Sequence, residues 1–248
     1  MEISIKNVSE LTEYFKYLLS ETHVIWWFRG HSDYSWKLLP SLWREYSKTQ
    51  ESYMTREFLF KARARTTLFP GAGDNSGWLS LMQHHGLPTR LLDWSKSPLI
   101  ALYFAVNDYH RHSNISSEKD ACIWMLCPGQ MNEYFGHENL IYPVDSNSSL
   151  ELINQAFYTD RNDNLGVIAT SAIETHKRII MQQSAFTIHS ETNSLESLQP
   201  NSNWLRKIKI PQNTLAEIAF ELEILGIKLS SVFPDLDNLS KEIKYFHR

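Results

Sequence analysis

The sequence predicts an α+β fold in a single domain, with mixed or antiparallel sheet strands and helices packed around them. Two observations carry this. Strand-like and helix-like segments follow one another irregularly, without the regular strand–helix repeat of a doubly wound sheet. The composition, 42% hydrophobic and 21% charged over 248 residues, supplies a sizeable core and too little charge for a disordered chain.

Taking the elements in order, Ser9 precedes ELTEYFKYLLSE, where Leu11, Tyr14, Phe15, Leu18 and Leu19 recur at helical spacing. Residues 23–28 are aromatic and β-branched and predict a buried strand that ends at Arg29, with Gly30 as the break. Residues 51–69 read as a helix whose Arg56, Lys61, Arg63 and Arg65 give it a basic surface. A Gly/Asn/Asp loop at 70–77 leads to a helix at 78–86, stopped by Gly86. Ser97-Pro98 opens another, LIALYFAVNDYH, with proline in its first turn. Between these two helices lies the polar and aromatic stretch LPTRLLDWSKS.

Residues 110–120 are polar, and ACIWMLCP follows as a strand. Residues 129–166 are rich in Asn, Ser and Asp and read as a polar insertion with one short helix at 149–158. Segments 166–172 and 176–186 come next. AFTIH and residues 205–210 alternate as strands, residues 213–225 form an amphipathic helix closed by Gly226, and a loop and last helix finish the chain.

Composition also narrows the function. The net charge is −4, which leaves nucleic-acid binding open because such binding depends on where basic residues cluster. Two cysteines, both in an apolar strand pattern, exclude a disulfide scaffold and a Cys-rich zinc site, and argue against thiol chemistry. The start lacks the pattern of a signal peptide and no run of about 18 apolar residues occurs, so a cytoplasmic protein without membrane association is expected. No Gly-rich phosphate loop, GxSxG elbow or EF-hand is present, which removes the main support for kinase, P-loop and Rossmann readings. Six of the eight tryptophans fall in the first 94 residues.

Three segments concentrate chemistry. In Trp27-Phe-Arg-Gly-His31, an arginine stands where a strand leaves the core, able to offer its planar fork to phosphate or carboxylate, or simply to pair with a nearby acid. Residues 83–95 gather His84, His85, Thr89, Arg90, Asp93, Trp94 and Ser95. They form a ligand site or, alternatively, an Arg90–Asp93 pair above buried Leu91, Leu92 and Trp94. Adjacent histidines lack the i, i+4 spacing of a helical metal site, so no metal is expected. In Arg178 to Thr187, Gln182, Gln183 and Ser184 offer hydrogen bonds but no acid or base, which nearby Glu174 could supply. Arg56, Lys61, Arg63 and Arg65, and later Trp204 to Lys209, could track a single-stranded nucleic acid or be an ordinary solvated helix face and sheet strand.

WFRGHSDYSWKLLPSLWRE, QHHGLPTRLLDWSKSPLIALYFAV and RIIMQQSAFTIH resemble, in order, the three signatures of the FRG domain, named for the triplet at Phe28-Arg29-Gly30. The ending LGIKLSSVFPDLDNLSKEI is similar to its C-terminal piece, so the resemblance spans nearly the whole chain. The motif order is in turn similar to that of ADP-ribosyltransferases, which implies an ADP-ribosyltransferase-like fold and NAD as substrate. On that resemblance Arg29, Asp93 and Gln182 are the catalytic candidates. Arg29, Gly30, His84, Thr89, Arg90, Trp94 and Ser95 would hold NAD, with Trp27, Trp36 or Trp94 stacking on nicotinamide. Ser184 stands where those enzymes carry a glutamate. The implied activity is that of a toxin-like or antiphage-defence effector, with Arg56, Arg63 and Arg65 contacting a nucleic-acid acceptor, RNA favoured over DNA. A neutralising protein partner would dock on residues 129–166. Two other readings stay open: a non-catalytic nucleic-acid or nucleotide-binding module, and a metal-independent RNase using His84 or His85.

Overall fold

In the computed structural model, residues 3–22, 24–67, 69–106, 109, 118–158, 165–173, 177–198 and 203–247 are described. The chain starts with β1 (Ile3–Ser4), α1 (Val8–Thr22), β2 (Trp27–His31), α2 (Ser41–Glu45), α3 (Lys48–Ala62) and α4 (Asn75–His84). It continues through β3 (Leu91–Ser95), α5 (Pro98–Ala105), β4 (Ala121–Leu126), α6 (Pro128–Tyr134), β5 (Tyr142–Pro143), α7 (Asn147–Asn154) and β6 (Val167–Ser171). The last part comprises α8 (Lys177–Met181), β7 (Ser184–His189), α9 (Leu195–Leu198), β8 (Leu205–Ile210), α10 (Leu215–Ile224), α11 (Leu229–Val232) and α12 (Leu236–Phe246).

The strands form one mixed sheet in the order β1-β8-β4-β2-β3-β7-β6-β5, parallel at its two outermost pairs and antiparallel between. The fold is α+β. Two apolar cores serve it. The larger joins α1, α5 and α10 to β2, β4 and β8, and the smaller packs α4 and α7 on β3, β6 and β7. Strand β3 divides its side chains between them, because successive residues point to opposite faces: Leu92 and Trp94 enter the larger core and Leu91 the smaller.

The inner strands are well matched except at one place. Strands β2 and β4 pair over five residues and β3 and β7 over another five, whereas β2 and β3 meet only at Phe28 and Ser95. Beyond that pair the two central strands diverge and the sheet opens. The freed carbonyl of Asp93 accepts a hydrogen bond from Arg29 Nη1 at 2.6 Å.

Several sequence expectations are corrected. Strand β2 does not stop at Arg29 but runs through Gly30 to His31. Gly30 therefore makes no turn. It lets α5 press onto the strand, since a Cβ there would lie 1.9 Å from the Ala101 carbonyl oxygen and 2.6 Å from the Ala105 nitrogen. Helix α1 is capped by the Asn7 side chain, which accepts from Glu10 N, not by Ser9. Helix α3 starts earlier, behind a Ser47–Gln50 capping box. The stretch between α4 and α5 is a central strand.

The polar segment at 129–166 is built into the fold, giving Val144, Leu152 and Ile153 to the smaller core. Within it Asn132, fully buried, donates from Nδ2 to the carbonyls of Leu140 and Ala169 and accepts from Ala169 N. Residues 159–164 of that segment lie outside the described residues.

A methyl group at position 30 should force α5 off β2. Gly30→Ala is expected to lower stability by about 1–3 kcal/mol, measured as the urea unfolding midpoint. A midpoint equal to that of the natural chain would contradict the close approach.

Candidate functional site

The opening between β2 and β3 continues into a cleft of about 470 Å³. Strand β2 supplies Arg29 and His31, β3 supplies Asp93, Trp94 and Ser95, and α8, the turn after it and the start of β7 supply Arg178, Gln182 and Ser184. Phe104 of α5, Phe233 after α11, and Trp36 and Arg44 complete the walls. Three segments far apart in sequence thus converge on one cleft. Three guanidinium groups face one carboxylate, Asp93, which is exposed in mid-strand. The balance favours an anionic ligand, and Arg presents phosphate with a planar, bidentate fork.

Each guanidinium is positioned. Arg29 is gripped from two sides: Nη1 by the Asp93 carbonyl and Nε by His31 Nε2, at 3.0 Å. Burial draws its pKa down, opposed by the Asp93 carboxylate. Arg44 donates from Nε and Nη2 to the Leu39 carbonyl at 3.2 and 3.1 Å. Arg178 lies over the Phe233 ring, 4.9 Å from its centroid.

Accepting from Arg29, His31 Nε2 carries no proton, so the neutral ring is protonated on Nδ1. Burial, then Arg29 and Arg44, lower its pKa to about 3. His189 is likewise pushed to about 3 by burial, Arg29 and Arg90. It ends a buried chain in which Trp94 Nε1 donates to Thr187 Oγ1 at 3.0 Å and Thr187 Oγ1 meets His189 Nε2 at 2.8 Å.

Gln182 is held at three points. Its backbone carbonyl accepts from Ser95 Oγ at 2.7 Å, its backbone nitrogen donates to the Arg178 carbonyl, and its side-chain Nε2 donates to the Val232 carbonyl at 3.1 Å. Among the described residues no donor reaches the amide oxygen, which can accept from a ligand. Gln183, next to it, has φ +48°. Such backbone in a residue other than glycine is strained and recurs at functional sites.

Other sequence candidates fall elsewhere. Arg90 is not a ligand group. It is fully buried, donates from Nε to Glu51 Oε1 at 2.8 Å and from Nη2 to Glu51 Oε2, and binds the Leu152 carbonyl and Gln155 Oε1 through Nη1. Its partner is Glu51, not Asp93. Thr89 is buried and donates to Gln83 Oε1. His84 lies outside the main cleft, on a smaller adjoining cavity. Gly30 lines the cleft, although its packing against α5 accounts for the residue.

Of the tryptophans, Trp27 and Trp94 are buried in the larger core, whereas Trp36 is 49% exposed at the cleft. The aromatic excess is thus mostly core. Glu174 lies outside the described residues. Sequence reasoning missed Arg44, Arg178 as a cleft residue, and Phe233. Arginines in the first and third matched segments were the available signal for Arg44 and Arg178; the one in the second, Arg90, points away from the cleft, and Phe233 had no signal.

The basic tracks separate. Arg56, Arg63 and Arg65 are exposed, Arg63 lying over Trp78. On β8, Lys207 sits over Tyr34 and Trp124, Arg206 over Trp26, and Lys209 pairs with Asp120 at 2.9 Å, so these cations are engaged within the sheet. Both cysteines are free and buried, and burial raises the Cys122 thiol to about 12. Among the described residues no helix is long and apolar enough to cross a membrane, and no group of three or more His, Cys, Asp or Glu could hold a metal.

Two consequences are measurable. Arg90→Met should cost about 3–5 kcal/mol by stranding Glu51, and adding Glu51→Leu should recover most of the loss in the same unfolding assay. A single variant as stable as the natural chain would refute the pairing. His31 and His189 give stability that is complete above their unfolded pKa of about 6.5 and is lost as pH falls towards about 3. In that window the unfolded chain binds protons that the folded one refuses, so the loss reaches roughly 1.4 kcal/mol per pH unit for each histidine. Urea unfolding at pH 7 and pH 5 should differ accordingly, and equal midpoints would contradict buried neutral rings.

Residues 24–114 match the family model of the FRG domain. This range contains the β2 and β3 walls of the cleft and stops short of Arg178, Gln182 and Phe233. No curated protein and no solved structure matches the chain.

Proposed function

The chain carries an FRG domain, and on that premise we propose that its cleft binds NAD and transfers ADP-ribose to a nucleic-acid acceptor, RNA in preference to DNA. The observation that supports this most is the convergence of Arg29, Arg44 and Arg178 around a single carboxylate, Asp93, beside Gln182. The guanidinium groups suit a diphosphate. Trp36 and Phe104 offer aromatic faces to the rings. When the nicotinamide–ribose bond breaks, positive charge spreads over the sugar, and Asp93 is placed to stabilise it while the Gln182 amide oxygen accepts from a ribose hydroxyl. Rigid placement of Gln182 by Ser95 and Val232 keeps this geometry through the reaction. The exposed Arg56, Arg63 and Arg65 would contact the acceptor backbone. The reading is of a cytoplasmic toxin-like or antiphage effector, restrained in its host by a neutralising protein.

Ser184 in place of a glutamate favours a second reading, a nucleotide-binding module without turnover. Nicotinamide release separates the two. The natural chain should bind NAD by calorimetry and release nicotinamide. Arg178→Ala should weaken binding about tenfold or more, and Asp93→Asn should slow release by about 10²–10³. Absence of NAD binding would sink the proposal, and binding without release would leave the module.

A further inference from the structure

Beside the main cleft lies a cavity of about 60 Å³ to which α4 contributes Ser80, Gln83 and His84. Asp93, Arg178, Gln182 and Ser184 line both spaces. Building on the NAD reading, we propose that this small cavity is the nucleophile's subsite, that the nucleophile is an O–H group, from water or from a hydroxyl of the acceptor, and that His84 takes its proton.

Position is the first argument. The groups assigned to the sugar, Asp93 and Gln182, form the boundary between the two spaces, so a ribose carbon held by them is open to attack from the α4 side while nicotinamide occupies the wide cleft. Size is the second. A cavity of about 60 Å³ has room for a few waters or one small polar group, and not for a nucleobase. Chemistry is the third. Among the groups on this cavity, Arg178 is cationic, Gln83, Gln182, Ser80 and Ser184 are neutral, and Asp93 faces the sugar, which leaves the His84 imidazole as the base on the nucleophile's side. The α4 wall is also ordered: Thr89 donates to Gln83 Oε1, directing the Gln83 amide nitrogen to donate, and His84 and His85 pack edge to face with centroids 5.0 Å apart.

In the step, the nucleophile's oxygen forms a bond to ribose C1′ as the bond from C1′ to the nicotinamide nitrogen breaks. The bonding pair leaves with nicotinamide, which departs neutral. The O–H proton passes to His84 and then to solvent.

The test uses the full chain with NAD in heavy-oxygen water, with and without single-stranded RNA, and mass spectrometry of the products. The expected products are ADP-ribose carrying the heavy oxygen on its ribose, when water attacks, or an O-linked adduct on RNA. His84→Ala should slow nicotinamide release about a hundredfold, keep the NAD dissociation constant within about twofold, and regain part of the rate with added imidazole. An N-linked product from the natural chain, or His84→Ala releasing nicotinamide at the natural rate, would overturn the subsite while leaving NAD turnover standing. If His84→Ala fails to fold, the linkage made by the natural chain decides alone. No nicotinamide release under any condition would overturn both the subsite and the function it rests on.

Discussion

Two central strands that touch at one residue pair shape the rest of this molecule. Strands β2 and β3 are each firmly bound on their outer sides, β2 to β4 and β3 to β7, so neither can peel away from the sheet. Their mutual divergence beyond Phe28 and Ser95 leaves backbone groups that a continuous ladder would have satisfied. The Asp93 carbonyl finds Arg29, and Arg29 in turn is braced by a histidine held neutral. A cation is thus fixed at the mouth of the opening by the same bonds that make the opening tolerable. The Arg29 side chain serves both fold and site.

Arg90 shows the opposite outcome for the same residue type. Arg29 lies within β2 and Arg90 directly precedes β3, each with an aromatic and a carboxylate close in sequence. Arg90, however, is sealed by Glu51, Gln155, the Leu152 carbonyl and the Trp43 ring, drawn from α2, α3 and the α7 region. A buried ion pair of this kind adds little net stability compared with an apolar replacement, but losing either half is costly. Its effect here is to lock three peripheral helical segments to the start of β3. That in turn sets where Asp93 emerges, four residues before the α5 cap at Ser97.

What could be read from the sequence followed the range of the interactions involved. Helices α1, α5, α10 and α12 carry local signals, such as apolar spacing, Pro98 behind its Ser97 cap and Gly226 at φ +81°, and they stand close to where periodicity put them. Strands β4, β7 and β8 were legible for the same reason. Strand β3 was not, because Asp93 interrupts its apolar run and its strand character comes from β7, about ninety residues away. The convergence of Arg29, Asp93, Ser95 and Gln182 matches the grouping read from the motifs. The removal of Arg90 and Thr89 into the interior was invisible, since Glu51 lies 39 residues from Arg90 and no local pattern links them. Arg44 and Phe233 reached the cleft by tertiary packing alone. Gln183 gave no hint of its left-handed backbone, which glycine would have announced.

The Asn132 amide has a meaning beyond local hydrogen bonding. A sheet that ends in a bare strand invites any other extended chain to continue it. At Ala169, where β5 is too short to reach, both outward backbone groups of β6 are taken by one side chain that imitates a peptide unit. The amide therefore acts as a stopper. It occupies the β6 groups at Ala169 that β5 does not reach, so an incoming strand finds no ladder partner at that point of the margin.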